Sequence, residues 1–175
     1  MATHRISILG NERPDSGVPL DLISNQITEA TAPSIGNNLA WVMADGGADE
    51  GIYGSFDVPE NFVGTTTNPT IVVKVVLDGT PGAADTLGFG FRKRANADNE
   101  AADGTFDAEQ TVSSTIGSGG SNHADEDQCN LSITLTGSAY AAGDQVEWYL
   151  YVDASGTSYA GNVLLRDAIF RYADV

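Results

Sequence analysis

The sequence predicts an all-β fold. The class is an antiparallel β-sandwich of jelly-roll type with about eight strands, preceded by an extended N-terminal arm. Three observations carry this. Twenty glycines, with many Thr, Ser, Asn and Asp residues, punctuate short apolar runs at the spacing of strands and turns. Several of those runs alternate apolar and polar side chains with a period of two. No amphipathic helix of ordinary length appears, and the best helical stretch, Asp21 to Ile27, is short.

The first expected strand spans residues 39–44 and is anchored by Trp41. Residues 51–58 follow, with Ile52, Gly54, Phe56 and Val58 on one side and Tyr53, Ser55 and Asp57 on the other. That strand stops at Pro59, which has no N–H for a central ladder. Residues 70–77 are apolar on both faces except at Lys74, the mark of a central strand, and Asp78-Gly79 then turns the chain.

Residues 86–94 form the fourth strand. Leu87, Phe89 and Phe91 share one face, while the other holds Thr86, Gly88, Gly90 and Arg92. Its end, Arg92-Lys93-Arg94, gathers three of the eight cations of the chain. Residues 110–115 make a weaker strand.

In residues 129–136, Leu131, Ile133 and Leu135 alternate with Ser132, Thr134 and Thr136. Residues 145–153 turn Val146, Trp148, Leu150 and Val152 inward and Glu147, Tyr149 and Tyr151 outward. The last strand, 163–172, places Leu164, Ala168, Phe170 and Tyr172 on one face and Leu165, Asp167, Ile169 and Arg171 on the other. Arg166 breaks that alternation and marks a bulge or an edge. Two long polar connections, 95–109 and 116–127, cannot bury a core and are read as exposed.

Residues 1–36 differ from the sandwich domain at 37–175. Pro14, Pro19 and Pro33 interrupt scattered apolar residues. Two readings fit. In one, an arm docks on a neighbouring surface through Ile6, Ile8, Leu9, Leu20 and Leu22. In the other, the segment is an ordinary first strand pair on its own sandwich.

Composition excludes several functions. The chain carries 24 acids against 8 bases, a net charge of −16, which argues against a nucleic-acid partner, since phosphate contacts need a basic face. No stretch approaches the roughly 18 apolar residues of a membrane-spanning helix, and no signal-peptide run opens the sequence. The expectation is a protein without a membrane or a Sec route. The single cysteine, Cys129, rules out an internal disulfide.

Catalysis finds little material. Only His4 and His123 exist as imidazole bases, and neither sits in a motif. The strands offer Asp57, Glu147 and Asp167 as carboxylates for a glycosidase-like pair, with nothing to bring them together. The expectation is a non-enzymatic protein with no catalytic residue and no cofactor. Calcium is the one ion to weigh, at the loop acids Asp98-Asn99-Glu100 with Asp103, Asp125-Glu126-Asp127, and Asp45 with Asp49-Glu50. None follows EF-hand spacing, and solvated acids explain them equally well. A glycan is the other ligand to weigh. Tyr149 and Tyr151 share one strand face about 7 Å apart, a spacing suited to stacking on sugar rings, or to packing against protein.

One combination of stretches resembles a known family: Tyr53-Gly-Ser-Phe-Asp-Val-Pro-Glu-Asn-Phe-Val-Gly64, the strand Thr70 to Leu77, Phe89 to Glu100, Ala141 to Leu150 and Ile169 to Asp174. Together they are similar to jelly-roll virion proteins of tailed bacteriophages, of the capsid decoration or cement type. The resemblance implies a structural protein made in the host cytoplasm and seated on the outer capsid. Its partners would be the major capsid protein and copies of itself, often as a homotrimer. It carries over no binding residue. The bare face at Gly88 and Gly90 has two readings of its own: it is covered by the arm, a neighbouring subunit or a partner, or the glycines allow sheet twist or a bulge. In the first reading Arg92, Lys93 and Arg94 pair with acids on that partner or on the 95–109 loop; in the second they balance local acids. The alternative function is a carbohydrate-binding jelly roll, such as a tail or fibre adhesin or a lectin-like domain.

Overall fold

A computed structural model describes residues 3–9, 13–14, 22–23, 40–43, 49–64, 67–96 and 105–173. The strands are β1 (Thr3–Ser7), β2 (Arg13–Pro14), β3 (Leu22–Ile23), β4 (Ala40–Met43), β5 (Glu50–Asp57), β6 (Thr70–Asp78), β7 (Thr86–Asn96), β8 (Gln110–Thr115), β9 (Gln128–Thr134), β10 (Gln145–Val152) and β11 (Asn162–Ala173). A single 3₁₀ turn, Gly137–Ala139, is the helical element among the described residues.

Two antiparallel sheets face each other. One has the order β3-β4-β11-β6-β9, with β1 also on β11; the other is β2-β5-β10-β7-β8. From β4 to β11 the chain changes sheet at every connection except the β7–β8 hairpin. That alternation, giving β4-β11-β6-β9 over β5-β10-β7-β8, is the jelly roll expected from the sequence. All eight expected strands are present, and β6 is central as its two apolar faces require.

The inner faces interdigitate. Ile71, Val73, Val75 and Leu77 of β6, with Leu131 and Ile133 of β9, meet Leu87, Phe89 and Phe91 of β7 and Trp148 and Leu150 of β10. Each such side chain contributes about 1.5–3 kcal/mol on full burial. Cys129 lies in this core, and burial pushes its thiol up to about 11, so it is no nucleophile at neutral pH.

Arg166 does mark a bulge. The register on β6 shifts between Leu165 and Asp167, so the strand changes phase there. The sequence pattern placed Leu164 with Ala168. The bulge corrects this: Leu165 joins Ala168 and Phe170 in the core, while Leu164 packs with Val76 on the outer side. It also turns Asp167 outward onto Lys74 at 3.3 Å.

The first residues lie on their own sandwich. β1 pairs antiparallel with the end of β11, from Thr3↔Ala173 to Ser7↔Ile169. The Ile8 N–H donates to the Ala168 carbonyl at 2.8 Å, Ile8 is buried, and Ile6 and Leu9 pack against the core. β2 and β3 cap the edges of β5 and β4. The proposed use of Ile6, Ile8 and Leu9 as a partner surface is therefore corrected, because the open ladder of β11 takes up their segment. Leu22 lies in β3, and Leu20 lies outside the described residues.

Candidate functional site

The outer face of the five-stranded sheet holds most of the conspicuous polar and aromatic chemistry. Register sets its grid. Across β5, β10 and β7 the rows read Ser55–Glu147–Arg94, Tyr53–Tyr149–Arg92 and Gly51–Tyr151–Gly90. The glycines alternate with large rings, and that explains the bare face. A Cβ on Gly90 would overlap the Tyr151 ring, with Cε2 at 2.6 Å, and one on Gly51 would meet Tyr149 Cε2 at 2.6 Å. Gly88 lies under the β10–β11 loop, where a Cβ would stand 3.0 Å from the Gly156 carbonyl carbon. The Gly88 N–H donates to Thr157 Oγ1 at 3.0 Å. The expectation that another chain or the arm covers Gly88 and Gly90 is thus corrected: Tyr151 and the Gly156 loop do so.

The rings form a ladder. Tyr53 stacks on Tyr149 at 4.4 Å, and Tyr149 stacks on Tyr151 at 4.9 Å. The Arg92 guanidinium lies over Tyr151 at 5.4 Å. Each ring pair adds about 0.5–1.5 kcal/mol beyond its buried area. Tyr149 is only 8% exposed and Tyr151 1%, so the stacking pair expected from the sequence is internal. Tyr53, at 37%, is the accessible ring of the ladder.

The segment 105–109 crosses this face. Phe106 lies 6.1 Å from Tyr53 on β5 and 5.6 Å from the Arg94 guanidinium on β7. The segment is tied to β7 from both sides. Lys93, on the inner side and 9% exposed, pairs with Asp107 at 2.8 Å, donates to the Ala139 carbonyl at 2.7 Å, and sits over the Tyr140 ring. Outside, Arg92 pairs with Glu109 at 2.8 Å, and Glu109 also accepts from the Tyr151 hydroxyl. Arg94 bonds Glu147, its cross-strand neighbour, with Nε at 2.6 Å. Arg92 and Lys93 therefore meet acids of the 95–109 loop, one of the partners the sequence offers them, and Arg94 meets an acid of β10.

These bonds tune ionisation. The Tyr151 and Arg92 hydrogen bonds hold the Glu109 carboxyl below the usual carboxylate range. Burial, then the bond to Glu109, pushes the Tyr151 hydroxyl up. A lowered carboxylate contributes stability above its unfolded value and loses it as pH falls through its folded value. Acidification below the usual carboxylate range is therefore expected to free the 105–109 segment from Tyr151. Faster amide exchange at Asp107 in acid, after correction for intrinsic rates, would register this; unchanged protection would contradict it.

Catalytic candidates do not assemble. Asp167 belongs to the other sheet and is held by Lys74 and Ser7. Glu147 is engaged by Arg94, and Asp57 is exposed opposite Gln145. His4 stacks on Tyr172 at 5.1 Å, and the backbone N–H of His123 donates to the Ile116 carbonyl. Among the described residues no three His, Cys, Asp or Glu side chains are placed to hold a metal. Asp125 and Asp127 accept from the Gly79 and Ala124 N–H groups and shape turns. Asp45, Asp98, Glu100 and Asp103 lie outside the described residues.

Tyr53 and Phe106 are not singled out by the sequence pattern, and Glu109 is foreseen only as one of the acids of the 95–109 loop. The signal for Tyr53 was present: one aromatic on a strand face otherwise holding Ser55 and Asp57. Phe106 is likewise a lone ring in an acidic connection.

No family model and no curated protein matches the chain. The solved structures that match it do so with TM-scores below 0.5. A xylan-binding module, CBM15, is 12% identical, over 99% of this chain and 97% of that one, with a TM-score of 0.49. The CBM22-2 xylan-binding domain of Xyn10C from Paenibacillus barcinonensis is 12% identical over 95% and 98%, with a TM-score of 0.49. The arabinose-bound α-L-arabinofuranosidase MgGH51 is 15% identical over 93% of this chain and 23% of its own, at 0.48.

Proposed function

We propose that this chain is a carbohydrate-binding β-sandwich that holds a glycan without cleaving it. The observation that supports the reading is Tyr53, a ring 37% exposed and braced from behind by Tyr149. Sugars present C–H faces to aromatic rings and hydroxyls to polar neighbours. Here Ser55 lies two residues along the same strand face, Glu147 stands on the adjoining strand, and Arg92, paired with Glu109, closes the Tyr53 row two strands away. A braced ring loses little freedom on binding, so stacking energy is not spent on ordering the site.

An array of soluble polysaccharides and oligosaccharides tests this. Saturable binding by the full chain to at least one glycan is the expected result. A blank array, with the protein folded, would overturn the reading.

Capsid decoration is the second reading. The β4-β11-β6-β9 and β5-β10-β7-β8 order supports it, since jelly rolls serve capsids as well as lectins. It predicts a blank array together with binding to expanded, undecorated capsids and a gain in their heat resistance.

A further inference from the structure

We infer that the free edge of β9 is a self-association surface, on which a second copy of this chain adds its own β9 antiparallel about a two-fold axis. This does not rest on the carbohydrate-binding reading, whose face belongs to the other sheet. The six-stranded sheet ends at β9, which pairs with β6 alone among the described strands. Two bonds fix which groups face outward. The Leu135 N–H donates to the Pro69 carbonyl at 2.9 Å, and the Asp127 carbonyl accepts from the Leu77 N–H at 3.2 Å. In an antiparallel ladder successive residues point their backbone groups to alternate sides. The odd-numbered residues therefore face β6, and Gln128, Asn130, Ser132 and Thr134 turn their N–H and C=O groups to the open side. Among the described residues none of those groups has a backbone partner.

Exposed edges are ordinarily guarded by charge, proline, brevity or a covering loop. The other edges of this sandwich follow that rule. β1 carries Arg5, β2 is Arg13–Pro14, and β3 has two residues. The end of β8 is covered where the Ser121 N–H donates to the Thr115 carbonyl at 3.1 Å. β9 is seven residues, Gln-Cys-Asn-Leu-Ser-Ile-Thr, with no charge and no proline, in a chain of 24 acids and 8 bases. A two-fold axis at Leu131 sets Asn130 opposite Ser132 and Gln128 opposite Thr134. Every outward N–H and C=O then finds a partner, the exposed polar side chains meet one another, and no like charges are opposed. This self-complementarity is what an isologous interface needs, and it selects a second copy over a foreign strand. Asp125, Glu126 and Asp127 flank the strand. In this register the two copies of Asp127 stand about 27 Å apart along the strands at about 3.4 Å per residue, well beyond the screening length of about 10 Å at about 0.1 M salt. The remaining repulsion comes from the net charge of −16 on each chain, so association strengthens with salt.

Sedimentation velocity of the full chain, from about 2 to about 200 µM protein at about 50 mM and about 500 mM salt, tests this. The expected result is a reversible monomer–dimer equilibrium whose mass rises towards twice the 18.3 kDa of the chain. The dimer should be at least about threefold tighter at the higher salt. Ser132→Pro removes one outward donor and leaves the bonds to β6 intact. Asn130→Asp with Ser132→Asp opposes carboxylates across the axis. Both variants, shown folded by near-UV circular dichroism, are expected to stay monomeric. In the wild type, amide exchange at Asn130 and Ser132 should slow as concentration rises, while Leu131 and Ile133 exchange slowly throughout. A wild-type monomer at every concentration and salt, a trimeric mass, or association that both variants retain would overturn the inference.

Discussion

Replacing Gly90 with Val is expected to destabilise the protein by about 2–4 kcal/mol, at or beyond the upper end of ordinary overpacking. The space above Gly90 is already filled by the Tyr151 ring. That ring is 1% exposed, stacked on Tyr149, covered by Arg92 and bonded to Glu109, so it has nowhere to retreat. The backbone cannot give way either, because β7 is paired on both edges, to β10 and β8. Urea denaturation should show a lower midpoint with an unchanged slope. The same change at Gly156, whose nearest contact is the end of the Asp153 side chain, should cost clearly less. Equal stability of Gly90→Val and wild type would mean that the ring does not rest on β7.

Replacing Tyr53 with Ala is expected to weaken glycan binding about 30-fold or more, the loss of one hot-spot ring at about 2 kcal/mol. Stability should change little by comparison, since Tyr53 is the exposed end of the ladder. Tyr53→Phe should keep most of the affinity, because stacking uses the ring. Tyr149→Ala makes the useful contrast. It removes a buried ring between two others, and the expected loss of about 3–5 kcal/mol would appear first in stability. Calorimetric titration beside urea denaturation separates the two roles. Unaltered affinity in Tyr53→Ala would remove this face from the site.

Much of the fold was legible because strand periodicity and core burial are the same signal. Leu131, Ile133 and Leu135 alternate with polar residues in the sequence, and that alternation is what the sandwich buries. Lys74 as the one polar break in residues 70–77 foretold a central strand, and its partner Asp167 appears only once the bulge is placed. The phase change at Arg166 was visible as a broken pattern, but its direction was not. A bulge is fixed by the neighbouring strand, which a local window does not contain.

The candidate site was legible in part. Tyr149 and Tyr151 were rightly set on an outward face, yet outward did not mean open. Tyr149 is covered by Tyr53 of β5, and Tyr151 by Arg92 of β7 and Glu109 of the 105–109 segment, all distant in sequence and brought near by the jelly-roll order. Gly88 and Gly90 signalled close approach correctly. What approaches them is a neighbouring strand's ring and the chain's own loop, and cross-strand register decides that.

A sugar bound by this chain would rest on the outer face of β5, β10 and β7. Amide and tyrosine-ring shift mapping by NMR, with a glycan identified on the array, tests it most directly. The expected result is saturable shifts grouped at Tyr53, Ser55, Glu147 and Arg92, with the opposite sheet silent. Shifts grouped instead around Lys74, Asp167 and Arg171, or none at saturation, would contradict it.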